Sequence, residues 1–366
     1  PRNASAWYYL AKVLSRQEKY AEAERAYERS IAIDPQNVGT WNDLGNIRAR
    51  QGKFEESEVA YRRAIEVDPQ DAVVWYNFGN TLTAHGKYIE AEEAHRRSIA
   101  VEPENTNVWN NLGIALWNQD KYAEAEVAYL RAVDIDPQNL RAWNNLGNTF
   151  KEQIKYAESE NAFRRAIDID PHNPASWYNL GATLGQQDRH VEAEQVYLRV
   201  IEIDPQNNDA WFNLGNTRDK QNDHEGAIEA YSQAIAIDSQ DAKVWNNLAF
   251  PQHELGKSAE AEEAYERATI LDPQYHHGWY NLGIILGNQG KYHEAEQVGL
   301  RSIQVDPTNF RAWIILGITQ EQQGKHVDAE RSARRGILLR PSSDLKHSAW
   351  HTIARARQNQ YKAPEH

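Results

Sequence analysis

Thr106 to Asn139 reads TNVWNNLGIALWNQDKYAEAEVAYLRAVDIDPQN, and its frame of Trp109, Leu112, Gly113, Leu116, Ala125, Tyr129, Ala132 and Pro137 returns every 34 residues along the chain. Apolar residues at 109, 112 and 116, and again at 125, 129, 132, 133 and 135, keep helical spacing. Gln119 and Asp120 interrupt the first run, and Asp136 to Asn139 end the second. The stretch therefore predicts a helix, a tight turn and a second helix. A lone hairpin cannot bury its own Trp and Leu. Taking a Trp side chain of about 150 to 250 Å² out of water is worth about 4 to 6 kcal/mol gross. A hairpin collects that stabilisation only by stacking on its neighbours.

Working outward, ten units fit the period, at residues 4–37, 38–71, 72–105, 106–139, 140–173, 174–207, 208–241, 242–275, 276–309 and 310–343. Each carries Trp at its fourth place, from Trp7 through Trp41 and Trp75 to Trp313. A small-residue column runs Ala11, Gly45, Gly79, Gly113, Gly147, Gly181, Gly215, Ala249, Gly283 and Gly317, and a second, twelve places on, runs from Ala23 and Ser57 to Ala329. The two columns are expected to face each other, so that paired helices approach closely. Prolines such as Pro69, Pro137 and Pro341 stop the second helix. An Asn or Asp two residues later, such as Asn37, Asp71 or Asn139, is placed to cap the next helix.

The pattern W-x2-L-G-x2-L, then A-x3-[YF], then P, resembles the tetratricopeptide repeat over about 340 of the 366 residues. The resemblance implies an all-α, right-handed superhelical solenoid whose first helices line a concave groove and whose second helices face outward. It also implies a binding scaffold, and it leaves the partner open. Two departures stand out. Ser239 replaces a stop proline, and Pro251 falls inside a first helix, where a kink or a shortened helix is expected. Residues 344 to 361 read as a capping helix, with Leu345, Ala349, Trp350, Ile353 and Ala356 facing inward and Lys346, Arg355, Arg357 and Lys362 facing outward.

The formal charge of −13 disfavours nucleic acid or an anionic membrane as partner of the whole surface. From Lys325 to His366, nine Lys/Arg face four Asp/Glu, a basic end that suits an acidic partner or a solvated cap. The chain has no Cys, which removes disulfides, thiolate metal sites and cysteine nucleophiles. It also has no Met, as expected of a processed, trimmed or designed chain. No apolar run reaches the length of a membrane span, and no leader pattern opens the chain. A soluble chain is expected, with the cytoplasm favoured.

The most regular column that packing does not require is Asn77, Asn111, Asn145, Asn179, Asn213, Asn247 and Asn281, at the sixth place of seven units. Asn80, Asn148 and Asn216, like Asn46, stand three residues on, on the same helical face. Tyr76, Tyr178, Phe212 and Tyr280 precede ladder asparagines. By family resemblance this face lines the groove, where amides hold the main chain of an extended peptide, similar to the asparagine ladder in the repeat arm of O-linked N-acetylglucosamine transferases. The alternative is that these asparagines bond neighbouring helices or water. A chaperone-type carboxylate clamp is not expected: Asn80, Asn111 and Arg141 fit three of its places, but Tyr76 and Asn145 stand where cations are needed.

Ile284, Ile314, Ile315 and Ile318 form an apolar patch that the last helix covers or a partner fills, and Tyr8 and Tyr9 make the first unit's groove face apolar. End-to-end stacking of copies is the alternative use of these surfaces, and a regulatory arm of a larger protein is a third reading. Acidic runs such as Glu124 to Glu126 read as solvated outer faces. His347 and His351 could share a metal but lack a third ligand nearby, and no catalytic motif is present. The reading is a non-enzymatic interaction scaffold that binds a polypeptide, without cofactor or metal.

Overall fold

The computed structural model describes residues 3 to 339 and 343 to 360, without the side chains of 343 to 347 and 360. Pro341, Leu345, Lys346, His347 and Lys362, singled out from the sequence, lie outside what is described. The chain divides into two compact units, Pro1–Gln187 and Asp188–His366. The first holds α1 (Ala4–Arg16), α2 (Tyr20–Ile33), α3 (Val38–Arg50), α4 (Phe54–Val67), α5 (Ala72–Ala84), α6 (Tyr88–Val101), α7 (Thr106–Trp117), α8 (Tyr122–Ile135), α9 (Leu140–Glu152), α10 (Tyr156–Ile169) and α11 (Pro174–Gln186). The second holds α12 (His190–Ile203), α13 (Asn208–Lys220), α14 (His224–Ile237), α15 (Ala242–Glu254), α16 (Ser258–Leu271), α17 (His276–Asn288), α18 (Tyr292–Val305), α19 (Phe310–Gln322), α20 (His326–Leu338) and α21 (Ser343–Gln360). Every described element is a helix, and within each unit successive helices pack on one another.

Caps and stops set the frame. The side chains of Asn37, Asp71, Asn105, Asn139, Asn173 and Asn207 accept backbone N–H groups in the first turns of the helices they precede. At the other end, where an Asp precedes the stop proline it accepts the N–H two residues on, as Asp68 does from Gln70 at 2.9 Å and Asp136 from Gln138 at 3.0 Å. The column Trp then reaches back to this turn: Trp41 Nε1 donates to the Pro35 carbonyl at 2.9 Å, and Trp109 Nε1 to that of Pro103 at 2.7 Å. Ser239 keeps the latch, because its carbonyl accepts from Trp245 at 3.0 Å. Nor does Pro251 shorten its helix. α15 keeps 13 residues with Pro251 buried inside it, since one missing N–H is outweighed by packing against α14 and α16.

The turn inside each hairpin needs one residue of positive φ. Gly52, Gly86, Gly256, Gly290 and Gly324 supply it freely, whereas Ile154 adopts φ 62 with a β-branched side chain. Ile154 is 71% exposed, so its side chain gains little from burial. Ile154→Gly is therefore expected to stabilise the chain by about 1 kcal/mol, read as a rise in the urea midpoint.

Small does face small at one level, since Ser57 Oγ donates to the Gly45 carbonyl at 2.7 Å. What fills the space of the missing side chain is an aromatic ring. A Cβ on Gly45 would lie 2.8 Å from the Tyr61 ring, and one on Gly147 would lie 2.7 Å from that of Phe163. The acidic runs also differ from the expected solvated face. Their second Glu clamps the Lys that ends the next hairpin's turn: Glu24 accepts from Lys53 at 2.7 Å, Glu92 from Lys121 at 2.8 Å and Glu126 from Lys155 at 2.7 Å. Burial alone would raise the Glu24 pKa, but hydrogen bonds from Lys53, Arg48 and Gln51 outweigh it and hold the carboxyl at about 2.

Within each unit the first helices of neighbouring hairpins touch, α3 with α5, α5 with α7 and α15 with α17, and their second helices have no comparable contact among the described residues. Each array is thus closed up on its first-helix side.

Candidate functional site

The first-helix face carries the asparagines, and their first partners are one another. Asn77 Nδ2 donates to Asn42 Oδ1 at 3.0 Å, Asn111 Nδ2 to Asn80 Oδ1 at 2.6 Å, and Asn145 Nδ2 to Asn110 Oδ1 at 3.0 Å. In the second unit Asn281 Nδ2 donates to Asn246 Oδ1, Asn246 Nδ2 to Asn247 Oδ1, and Asn247 Nδ2 to Asn216 Oδ1, which also accepts from the Tyr231 hydroxyl at 2.8 Å. These relays tie one first helix to the next, and each bond adds about 1 kcal/mol net. The fifth-place residues Asn42, Asn110 and Asn246 were not singled out from the sequence. Their signal was the Asn-Asn dipeptide at 110–111 and 246–247.

The relays use both ends of Asn110, Asn111, Asn246 and Asn247 and leave other amides with an open end. The Oδ1 of Asn77, Asn145 and Asn281 and the Nδ2 of Asn80, Asn148 and Asn216 have no hydrogen-bond partner among the described residues, and all six side chains are half-buried. Asn179 is half-buried too, and neither end of its amide is engaged among the described residues. Asn213 donates to the Asp209 carbonyl at 3.0 Å. A row of half-engaged amides at fixed spacing can hold peptide groups without reading side chains.

The aromatic members are half-buried on the same face. Tyr76 lies 6.2 Å from the His95 ring and Phe212 lies 6.0 Å from that of Tyr231, centroid to centroid. Tyr178 and Tyr280 are likewise half-buried. Burial raises the hydroxyl pKa of Tyr280, and Arg311 opposes that rise. In the first hairpin Tyr8 is half-buried beside Tyr27, and Tyr9 is exposed. Burial, then the charge of Asp43, raises the Tyr8 pKa.

The isoleucine patch divides. Ile314 is core, 1% exposed and clustered with Ala333, Ala349 and Ile353, because α21 lies over it. Ile284 and Ile315 are half-buried, and Ile318 stays exposed beside a cleft that Thr352 and Arg355 share. Trp350 also differs from expectation: it is exposed, since the buried face of α21 runs through Ala349, Thr352, Ile353 and Ala356. Arg357 does face outward, where it pairs with Glu330 at 2.8 Å. Among the described residues no cluster of three metal-ligating side chains occurs, and no helix is long and apolar enough to cross a membrane.

Comparison with known proteins bears on this geometry. Tetratricopeptide repeat models match residues 4–37, 144–208, 196–229, 220–256, 242–275 and 264–297. The N-terminal HAT repeat model of the pre-mRNA-splicing factor Syf1/CNRKL1 matches residues 23–172. Among solved structures, the APC/C hetero-tetramer Cut9-Hcn1 is similar with a TM-score of 0.51 at 14% identity, over 96% of this chain and 76% of that one. Yeast Tom70 gives 0.48 at 14% identity, over 98% of this chain and 96% of its own. YrrB, a TPR protein with an unusual peptide-binding site, gives 0.45 at 19% identity, over 51% of this chain and 96% of its own. No curated protein matches the chain. At such identities the likeness to Cut9-Hcn1 is one of fold.

Proposed function

We propose that this chain, which belongs to the tetratricopeptide repeat family, is a non-catalytic scaffold that holds an extended segment of a partner polypeptide along its first-helix face. The observation that carries the reading is the row of amides with at least one open end, Asn77, Asn80, Asn145, Asn148 and Asn179, interleaved with Tyr76 and Tyr178. Main-chain N–H and C=O groups of an extended segment match such a row in chemistry, and the tyrosines add apolar area at small entropic cost. The relays keep the row rigid before binding, which lowers the ordering cost of association.

The test begins with linear 12-residue peptides selected on the full chain from a random library. Asn179→Ala and Tyr76→Ala, singly, are expected to weaken a selected peptide about tenfold each while helicity by circular dichroism stays unchanged. Asn179 suits this purpose because it ties no neighbouring helix in place. Affinity that is unaltered in both variants excludes the first-helix face as the binding surface.

A further inference from the structure

Lys151, in the last turn of α9, is half-buried and has no carboxylate within ion-pair distance among the described residues. Lys53, Lys121 and Lys155 each have a Glu within 2.8 Å. The Lys151 ammonium instead reaches Asn148 Oδ1 at 3.3 Å, and burial lowers its pKa while the charge of Glu152, exposed at the rim, acts to raise it. A partly desolvated cation without an anion is unfavourable, and a ligand anion relieves it.

The surroundings are shaped to receive one. Lys151 lines a cleft of about 500 Å³ with Ile114 and Trp117 of α7, Tyr129 of α8, and Asn145 and Asn148 of α9. Trp117 and Lys151 occupy the same place in successive repeats, where other repeats carry a small or polar residue such as Ser15, Ala49, Thr83 or Gly185. Trp117 stands outside the Trp column, so the helix–turn latch does not account for it. The cleft thus joins a cation, a free amide donor on Asn148 and an apolar wall. Asn80 on α5 and Asn179 on α11 offer open amide ends on either side of it, so an extended segment passes through rather than ending there.

Resting on the peptide-binding reading above, we propose that this cleft seats an acidic side chain of the bound segment, its carboxylate between Lys151 Nζ and Asn148 Nδ2, with an adjacent apolar side chain against Ile114 and Trp117. The occupant is an internal Asp or Glu next to a bulky apolar residue. Repulsion of the site's rim by Glu152 is overcome only when the carboxylate reaches the lysine, which disfavours acidic tracts without the apolar anchor.

A random 12-residue library fused through its C-termini, so that no terminal carboxylate is presented, is selected on the wild-type chain and on Lys151→Met. Wild-type selection is expected to enrich one acidic position beside an apolar one, and Lys151→Met to lose that enrichment while still returning binders. A selected peptide should lose about tenfold in affinity when its Glu is changed to Gln, and the same peptide should raise the Lys151 pKa by NMR. Lys151→Met should melt no lower than wild type, which separates lost binding from lost folding. Binders without an acidic position, or with the same preference on Lys151→Met, overturn the carboxylate seat and leave the peptide groove standing. Tighter binding of acetyl-Leu-Leu through its free terminal carboxylate than of any Glu-containing blocked peptide also overturns it. If no peptide responds to Asn179→Ala and Tyr76→Ala, the groove reading itself fails, and the seat fails with it.

Discussion

Gly113→Ala is expected to destabilise the first unit by about 2 kcal/mol or more, whereas Gly283→Ala, the same change 170 residues on, is expected to be neutral or to stabilise by up to about 1 kcal/mol. A Cβ at Gly113 would stand 2.5 Å from Cε1 and 2.6 Å from Cζ of Tyr129. That ring is 2% exposed and wedged between hairpins, so it cannot turn away. At Gly283 the second helix carries Gly299 where the ring would be, and the nearest atom to a new Cβ is Val298 Cγ1 at 3.8 Å. Only the helix-propensity gain of Ala over Gly remains there. Urea midpoints give the sign, and amide exchange in α7 and α8 gives the place, because repeat arrays lose structure locally. A double variant, Gly113→Ala with Tyr129→Leu, should be less destabilised than the sum of its parts. Additive losses would show that the ring does not occupy the glycine's space.

His95→Tyr is expected to stabilise the chain by about 2 to 3 kcal/mol at neutral pH and by more at pH 5. His95 sits where other repeats place Tyr61, Tyr129, Tyr231 or Phe163, over Gly79, and neither ring nitrogen has a hydrogen-bond partner among the described residues. Burial pushes its pKa down to about 4. Below pH 6.5 the unfolded chain takes up a proton that the folded chain refuses, so stability falls as pH drops from about 6.5 to 4, by about 3 kcal/mol across that window. A tyrosine removes the titration. Its hydroxyl also gains a partner, since Tyr61 donates to Asn46 and Tyr231 to Asn216 at 2.8 Å, and position 95 bears the same relation to Asn80. In the variant, the acid loss between pH 6.5 and 4.5 should flatten. The loss below pH 4.5 should persist, because the Glu24 carboxyl, at about 2 when folded, still has to be protonated as the chain unfolds. Thermal melts at pH 7, 5.5 and 4 check this, and an unchanged slope above pH 4.5 would mean that His95 is not buried neutral.

The sequence showed the period, the Trp and glycine columns, the caps and the stops, because each acts within one hairpin or recurs at a fixed interval. It did not show which partners close between hairpins. The Glu24–Lys53 clamp joins residues 29 apart, and the Asn77–Asn42 bond joins residues 35 apart on different helices. Neither is visible to a reading that follows one helix at a time. So the EAE runs passed for solvated surface, and whether the groove-face asparagines bond neighbouring helices or a ligand stayed open. Trp350 was misplaced for a related reason: the register of α21 over α19 and α20 is set by Ala349, Ile353 and Ala356, and a bulky residue beside that stripe points to solvent. Trp117 and Lys151 differ from their column without breaking helical periodicity, so their shared cleft became visible only once α7 and α9 were side by side.

The measurement that bears most directly on the scaffold reading is hydrogen–deuterium exchange of the full chain with and without a selected 12-residue peptide. Added protection should fall on α5, α7, α9 and α11, the first helices that line this face. Protection on α6, α8 and α10 with none on the first helices would contradict it.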